Sequence, residues 1–144
     1  MQANNRSQAY RTSQRLGATA RQTEAQALLE AARMLDAAIG DDRDAYRAAL
    51  RLNWRLWTII QADVSSEESP LPDEIRQNIL SLSVFIDKHT VNALAEPSGR
   101  KLRVLIEINR NIASGLMMNL DAQPEIPEET QPVRAPASDN DIVA

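Results

Sequence analysis

The chain has 144 residues, of which 43% are hydrophobic, and a net charge of −4, so it is long enough for one small domain with terminal extensions. It contains no cysteine, which excludes disulfides, thiolate metal ligands and cysteine nucleophiles. A single histidine, His89, and four widely separated glycines give no basis for a histidine metal cluster, a serine–histidine–aspartate relay or a phosphate-binding loop. We therefore expect no enzyme, no catalytic residues, no cofactor and no metal site.

Residues 1–22 form a basic segment that carries four arginines and no acidic residue. We interpret it as a solvated basic arm with a possible short helix over residues 5–15. Contact of this arm with RNA or an acidic partner is the alternative, but a net acidic chain is a poor general nucleic-acid binder and we expect no nucleic-acid partner. No apolar stretch follows Met1, and no apolar run approaches the roughly 20 residues that span a bilayer. We therefore expect a soluble, cytoplasmic protein without a membrane segment.

Helix start and stop signals predict a helical domain over residues 23–120. Thr23 and Gln26 match a capping box, in which each side chain hydrogen-bonds the backbone of the other residue. Gly40 can adopt the left-handed conformation that ends a helix, and Asp41 or Asp42 can cap the next one. Prolines mark the two later breaks, and no segment alternates as a strand does. The sequence thus predicts an all-α fold, a small bundle of four main helices at about 23–39, 42–63, 72–95 and 98–119.

Residues 121–144 differ in composition from the rest of the chain. They contain four prolines and six acidic residues against the single basic residue Arg134, a net charge of −5. Such a composition cannot bury enough apolar surface to offset the entropy of ordering the chain. We predict a disordered, acidic, proline-rich tail.

The first two helices differ in how much of their surface is apolar. At about 100° per residue, Ala25, Leu28, Ala32, Leu35 and Ile39 form one stripe of the first helix, which predicts an outer helix with one buried side. Apolar residues cover more than half of the second helix and leave a strip that contains three arginines. We therefore expect the second helix to lie centrally and to pack on two sides. The residues of its solvent strip are Arg47, Arg51 and Arg55.

Two asparagines fall within predicted apolar arcs, Asn53 on the second helix and Asn109 on the fourth. A buried amide costs about 1–3 kcal/mol if it is unpaired, so both side chains should be hydrogen-bonded. We predict that both are buried polar structural residues. Either they share one network that fixes the register of the two helices, or each bonds a nearby backbone carbonyl, and the sequence leaves both alternatives open.

The third helix carries two apolar ridges, and the weaker one is formed by Leu80, Val84 and Val91. These residues, together with Trp54 at the edge of the arc on the second helix, are the candidate partner-binding surface, because apolar residues beyond those needed by the core mark interaction sites. The alternative is that all four complete the core. His89 lies beside the stronger ridge and is expected to be a core or boundary residue.

Four helical segments follow one another after QAY at residues 8–10. They are residues 28–35 (LLEAARML), 53–60 (NWRLWTII), 78–87 (NILSLSVFID) and 105–116 (LIEINRNIASGL). Each segment alone is an ordinary helical stripe, but their order and the placement of the two asparagines resemble the flagellar biosynthesis regulator FlaF family of alphaproteobacteria. The resemblance covers roughly residues 7–117.

The resemblance implies a non-enzymatic role in flagellum assembly. Members of the family are thought to bind flagellin, to act on its production and export, and to work alongside a second regulator, FlbT. The family supplies no catalytic residues, so the matched positions are core and partner-facing residues. The alternatives are a post-transcriptional regulator that contacts flagellin mRNA through the basic arm, and a helical adaptor of an unrelated pathway.

Overall fold

A computed structural model describes the backbone of residues 2–122 and, except for some positions near the two ends, their side chains. Within these residues four helices and no strand occur, which confirms the predicted all-α bundle. Most of the predicted acidic tail, residues 123–144, lies outside the described residues. The helices are α1 (Gln2–Ala38), α2 (Arg43–Ser65), α3 (Asp73–Ala95) and α4 (Gly99–Ala122).

Helix α1 is much longer than its sequence signals indicated. It begins at Gln2, so the predicted start at Thr23 is wrong. Residues 5–15 are helical as predicted, but they are the first part of α1 and not a separate short helix. The side chains of Thr23 and Gln26 are exposed inside the helix. A capping box is a local signal, and neither proline nor a pair of glycines interrupts residues 5–22, so the chain continues as helix across it. The predicted boundaries at residues 22 and 121 therefore both fall within helices, since α4 also extends to Ala122.

The connection between α1 and α2 follows the predicted chemistry. Gly40 has a φ of 80°, the left-handed conformation that glycine adopts without a steric penalty. Of the two candidate caps, Asp42 is the one used, and its Oδ1 accepts a hydrogen bond of 2.8 Å from the Ala45 N–H. Asp41 instead accepts a hydrogen bond from the backbone N–H of Asp42.

Successive helices run antiparallel. Tyr46 near the start of α2 donates its hydroxyl to the Ala93 carbonyl near the end of α3, over 2.9 Å. At the other end of the same pair, the Arg76 Nε–H donates to the Val64 carbonyl over 3.1 Å. The most extensive helix–helix contact is between α1 and α4, then α2 with α3 and α1 with α2, whereas α3 and α4 touch little. Helix α2 thus packs on two sides as predicted, while α1 packs against two neighbours and is not simply an outer helix.

The core lies where the apolar faces of the four helices meet. Trp57, Leu50 and Ile60 of α2 are at most 1% exposed, and the predicted stripe of α1 is buried except for the partly buried Ile39. Burying such side chains contributes about 1.5–3 kcal/mol each, which is the main term that holds the bundle together. Other fully buried members are Leu28, Leu35, Ile79, Ile86, Leu102 and Leu105.

Candidate protein-binding groove between α2 and α3

A buried hydrogen-bond network connects α1, α2 and α4. The Asn109 Nδ2 donates to the Asn53 Oδ1 over 2.8 Å and to the Leu28 carbonyl over 3.3 Å. The Trp57 Nε1–H donates to the Asn109 Oδ1 over 2.9 Å. Both asparagines are 0% exposed. The two amides therefore share one network, which is the first of the two alternatives left open by the sequence. Asn109 also bonds the Leu28 carbonyl, but Asn53 bonds no backbone carbonyl among the described residues, so the second alternative does not hold.

The second tryptophan, Trp54, occupies a different environment. It is partly buried, and its Nε1–H donates to the Asp87 Oδ1 of α3 over 2.8 Å. A hydrogen bond from a neutral donor to a carboxylate is stronger than one between two neutral groups. The bond holds the indole ring across the seam between α2 and α3, where the side chain is only partly buried.

A mostly apolar groove of about 680 Å³ lies at this seam. Helices α2 and α3 form its two walls, and the indole of Trp54 is the largest apolar group in it. Thr58 and Gln61 lie four and seven residues after Trp54, so helical geometry places them on the same side of α2. The lining residues are Trp54, Thr58, Gln61, Asp87, Lys88 and Val91.

The four candidate partner-binding residues do not form one continuous surface. Trp54 and Val91 line the groove, and Val91 is 55% exposed. Val84 is 50% exposed on α3 but is not a lining residue. Leu80 is partly buried and packs against the core, so for this residue the core alternative holds. Thr58, Gln61 and Lys88 were missed by the sequence reasoning, although their spacing from Trp54 and Val91 could have indicated them.

The far side of α3 carries the histidine and the only phenylalanine. The Phe85 and His89 rings stack with their centroids 5.2 Å apart, and the His89 Nε2–H donates to the Lys101 carbonyl over 2.9 Å. His89 is a boundary residue with its polar group satisfied, as the sequence predicted. Phe85 is 43% exposed and adds apolar surface outside the groove.

A cluster of three charged residues joins α1 to the last turn of α2; Arg21 is buried, Glu24 is partly buried and Asp63 is exposed. Arg21, which the sequence placed in the solvated arm, is only 2% exposed because α1 continues into the bundle. Burial is the main cause that raises the pKa of Glu24 to about 8. A hydrogen bond to Asp63 and the charge of Asp63 raise this pKa further, whereas the charge of Arg21 lowers it. Burial lowers the pKa of Arg21, which the charge of Glu24 partly offsets. A protonated Glu24 can thus donate a hydrogen bond to the Asp63 carboxylate.

The described residues contain no group of three or more histidine, aspartate or glutamate side chains that could hold a metal ion. None of the described helices is both long enough and apolar enough to cross a bilayer. We take the groove at the α2–α3 seam as the candidate site because it is mostly apolar and its lining includes Trp54 and the exposed Val91.

The antiparallel four-helix arrangement, the buried asparagine network and the groove define a small all-α bundle protein with a mostly apolar groove on its surface. The chain belongs to the flagellar protein FlaF family, whose sequence model matches residues 6–116. The matched region covers α1, α2, α3 and most of α4, and therefore the network and the groove. Searches of the curated proteins and of the solved structures found no significant match.

Proposed function

We propose that this protein is a non-enzymatic, cytoplasmic regulator of flagellum assembly that binds flagellin and controls its production or export. Its membership of the flagellar protein FlaF family supports the flagellar role. The observation that carries the binding proposal is the α2–α3 groove, in which Trp54 and the half-exposed Val91 leave apolar surface that the fold does not consume. Aromatic side chains in such positions are the type that dominates binding free energy.

The groove fits an amphipathic helical segment of flagellin. Two antiparallel helices form its walls, and a third helix can lay apolar residues at helical spacing between them. The Asp87 carboxylate is already engaged by Trp54, whereas Lys88 and Arg51 are exposed. Arg51 lies three residues before Trp54 and therefore on the same side of α2. The groove and its surroundings thus carry two cations, Lys88 and Arg51, against the one carboxylate of Asp87, and we expect acidic residues to flank the apolar stripe of the bound segment.

The experiment that tests this proposal compares two single substitutions that place the same charge at similarly exposed apolar sites. Val91→Asp introduces a carboxylate in the groove, and Ile59→Asp introduces one on α2 outside the groove, where the side chain is 60% exposed. Purified protein is titrated with flagellin by calorimetry, and circular dichroism checks that both variants remain folded. We expect Val91→Asp to weaken binding by about tenfold or more and Ile59→Asp to change it little.

Each outcome decides a different part of the proposal. Equal weakening by both variants contradicts the groove as the site, and no binding by the unmodified protein contradicts the function. The salt dependence of binding adds a second criterion, because groove binding dominated by apolar contacts should weaken much less with salt than binding of RNA through several arginines.

Contact with flagellin mRNA is the second candidate function. The supporting observation is that Arg6, Arg11 and Arg15 are exposed on α1. Binding of RNA by these residues should weaken steeply with salt, since each neutralised phosphate releases counterions. A titration of flagellin mRNA at two salt concentrations, with Arg11→Gln as the variant, separates this function from groove binding.

A further inference from the structure

One carboxylate lies among the apolar groups of the α2–α3 groove. Asp87 of α3 lines the groove together with Trp54 and Val91, and it is partly buried. Its Oδ1 accepts the hydrogen bond of 2.8 Å from the Trp54 Nε1–H. Within the described residues Asp87 makes no other hydrogen bond and no ion pair. The second oxygen of the carboxylate, Oδ2, is therefore left to solvent in the free protein.

The neighbouring groups of the groove do not supply a donor to this oxygen. The Thr58 hydroxyl already donates to the Trp54 carbonyl over 3.0 Å. Gln61 lies seven residues after Trp54, which is about 10 Å along α2. Lys88 is exposed and points about 100° away from Asp87 around α3, because consecutive helical residues do not face each other. A donor to Oδ2 in a covered groove must therefore come from the bound segment.

Covering the groove changes the energetics of this oxygen. A bound helix excludes water from the surface that it covers, and a carboxylate oxygen that loses its water without gaining a new donor destabilises the complex. An entirely apolar stripe over Asp87 therefore binds less well than the rest of the lining would allow. A segment that supplies a donor at this point makes a charge-assisted hydrogen bond instead, which is stronger than one between two neutral groups.

We infer that Asp87 is a specificity-determining residue of the groove, and that the bound segment carries a side-chain N–H donor within its apolar stripe, opposite Trp54. This inference rests on the proposed function, in which the segment belongs to flagellin. The donor is the side-chain nitrogen of a residue such as lysine, arginine, asparagine or glutamine, and it bonds Oδ2 while Trp54 keeps Oδ1. The acidic residues expected near Lys88 and Arg51 flank the stripe, whereas the donor lies in its middle.

The test removes the charge of Asp87 and keeps its shape. In Asp87→Asn the amide oxygen can still accept from Trp54, but an amide NH2 group then takes the place of Oδ2 and opposes a donor from the partner. We expect this variant to bind purified flagellin about fivefold to thirtyfold more weakly than the unmodified full chain in a calorimetric titration. Asp36→Asn makes the same change at an exposed position of α1 outside the groove, and it should alter binding by less than about twofold.

The sign of the change decides the inference. If no donor faces Asp87, loss of the charge removes a cost of covering the groove, and Asp87→Asn binds flagellin as tightly as the unmodified protein or more tightly. That result overturns the inference, and so does equal weakening by Asp36→Asn, which would reflect net charge alone. No binding by the unmodified protein contradicts the proposed function and the inference with it, whereas an unweakened Asp87→Asn beside a binding unmodified protein contradicts the inference alone.

The position of the Trp54 indole is the second readout. Because Trp57 is 1% exposed, acrylamide quenching of tryptophan fluorescence reports mainly on Trp54. Quenching in free Asp87→Asn should equal that of the unmodified protein, since the amide oxygen still holds the indole. Stronger quenching would assign the weaker binding to a displaced indole and overturn the inference.

Salt separates the two kinds of donor, and either result supports the inference. If the donor is a lysine or an arginine, the loss of affinity in Asp87→Asn becomes smaller at high salt, because screening weakens the ion pair in the unmodified complex. If the donor is an asparagine or a glutamine, the loss stays the same.

Discussion

The Asn109 Nδ2 of α4 donates a hydrogen bond of 2.8 Å to the Asn53 Oδ1 of α2, and both side chains are fully buried. The two residues are 56 positions apart in the chain, so the bond forms only when the helices have the native register. Asn109 also accepts from Trp57 and donates to Leu28, whereas the Asn53 Nδ2 has no hydrogen-bond partner among the described residues. Asn109 is therefore the residue on which the network depends.

Replacement of Asn109 should destabilise the protein strongly. Asn109→Ala leaves the Trp57 N–H and the Asn53 amide buried without partners, which should lower the free energy of unfolding by about 2–4 kcal/mol. Asn111→Ala on the same helix is the matched control, because Asn111 is exposed and its replacement should change stability by less than about 0.5 kcal/mol. Urea unfolding followed by circular dichroism measures both. A similar cost for the two variants would mean that the network contributes little.

The two tryptophans should differ in what their N–H groups contribute. Trp57→Phe leaves the Asn109 Oδ1 without its donor in the core and should cost about 1–3 kcal/mol, in addition to the loss of packing. Trp54→Phe removes the bond to the partly exposed Asp87, which water can replace, so it should cost about 0.5–1.5 kcal/mol. Chemical unfolding of both variants checks the order. The reverse order would contradict the assignment of Trp57 to the core and Trp54 to the surface.

The stability of the protein should depend on pH through Glu24. Its pKa is about 8 in the folded protein, against an ordinary value of 4.5, so the folded state binds the proton more tightly than the unfolded state does. The stabilising contribution of this group is complete below about pH 4.5 and is lost as the pH rises through about 8. Glu24→Gln mimics the protonated form. We expect the variant to become more stable relative to the unmodified protein as the pH rises from 5 to 8.

Glu30→Gln is the control for this effect. Glu30 is exposed and hydrogen-bonds Arg33, which lowers the pKa of Glu30. The stabilisation from this carboxylate is present above its ordinary pKa and lost at lower pH, so Glu30→Gln should not change the dependence between pH 5 and 8. Unfolding measured at several pH values in both variants separates the two. If the difference in the free energy of unfolding between Glu24→Gln and the unmodified protein did not change with pH, Glu24 would be solvated.

Two glycines should respond in opposite ways to alanine. Gly40→Ala places a side chain at a φ of 80° and should cost about 1 kcal/mol. Gly115 lies inside α4, and a Cβ there would meet no atom within 4 Å, so Gly115→Ala should stabilise the helix by up to about 1 kcal/mol. Thermal unfolding gives the sign of each change. Destabilisation by Gly115→Ala would point to a role for the cleft that Gly115 lines with Ile75 and Ile112.

The sequence predicted the helices and their buried faces because both follow from local patterns. Apolar spacing placed Leu28, Leu50 and Trp57 in the core, and turn chemistry placed the break at Gly40. The same local reasoning failed at Thr23, where a capping box lies inside a continuous helix. A cap signal only favours a helix start, and the packing of α1 against α4 and α2 outweighs it.

The candidate groove was predictable only in part. Trp54 was identified because it lies at the edge of the apolar arc of α2, and Val91 because it belongs to the weaker apolar ridge of α3. The same ridge includes Leu80, which packs against the core, and Val84, which does not line the groove. Whether such a residue faces the core or the groove depends on the rotation and separation of α2 and α3. Those quantities are set by contacts between distant residues, such as the bond from Trp54 to Asp87.

By itself, the sequence determined the all-α class, the apolar faces and the presence of an asparagine on the buried side of each of two helices. Each of these features depends on residues within a few turns of one another. Only the tertiary structure decided that Asn53 and Asn109 pair, that Arg21 and Glu24 are drawn into the bundle, and that Trp54 spans two helices. Each of these relationships joins residues on different helices or depends on neighbouring helices. Their partners are fixed by how the helices pack, which no local pattern encodes.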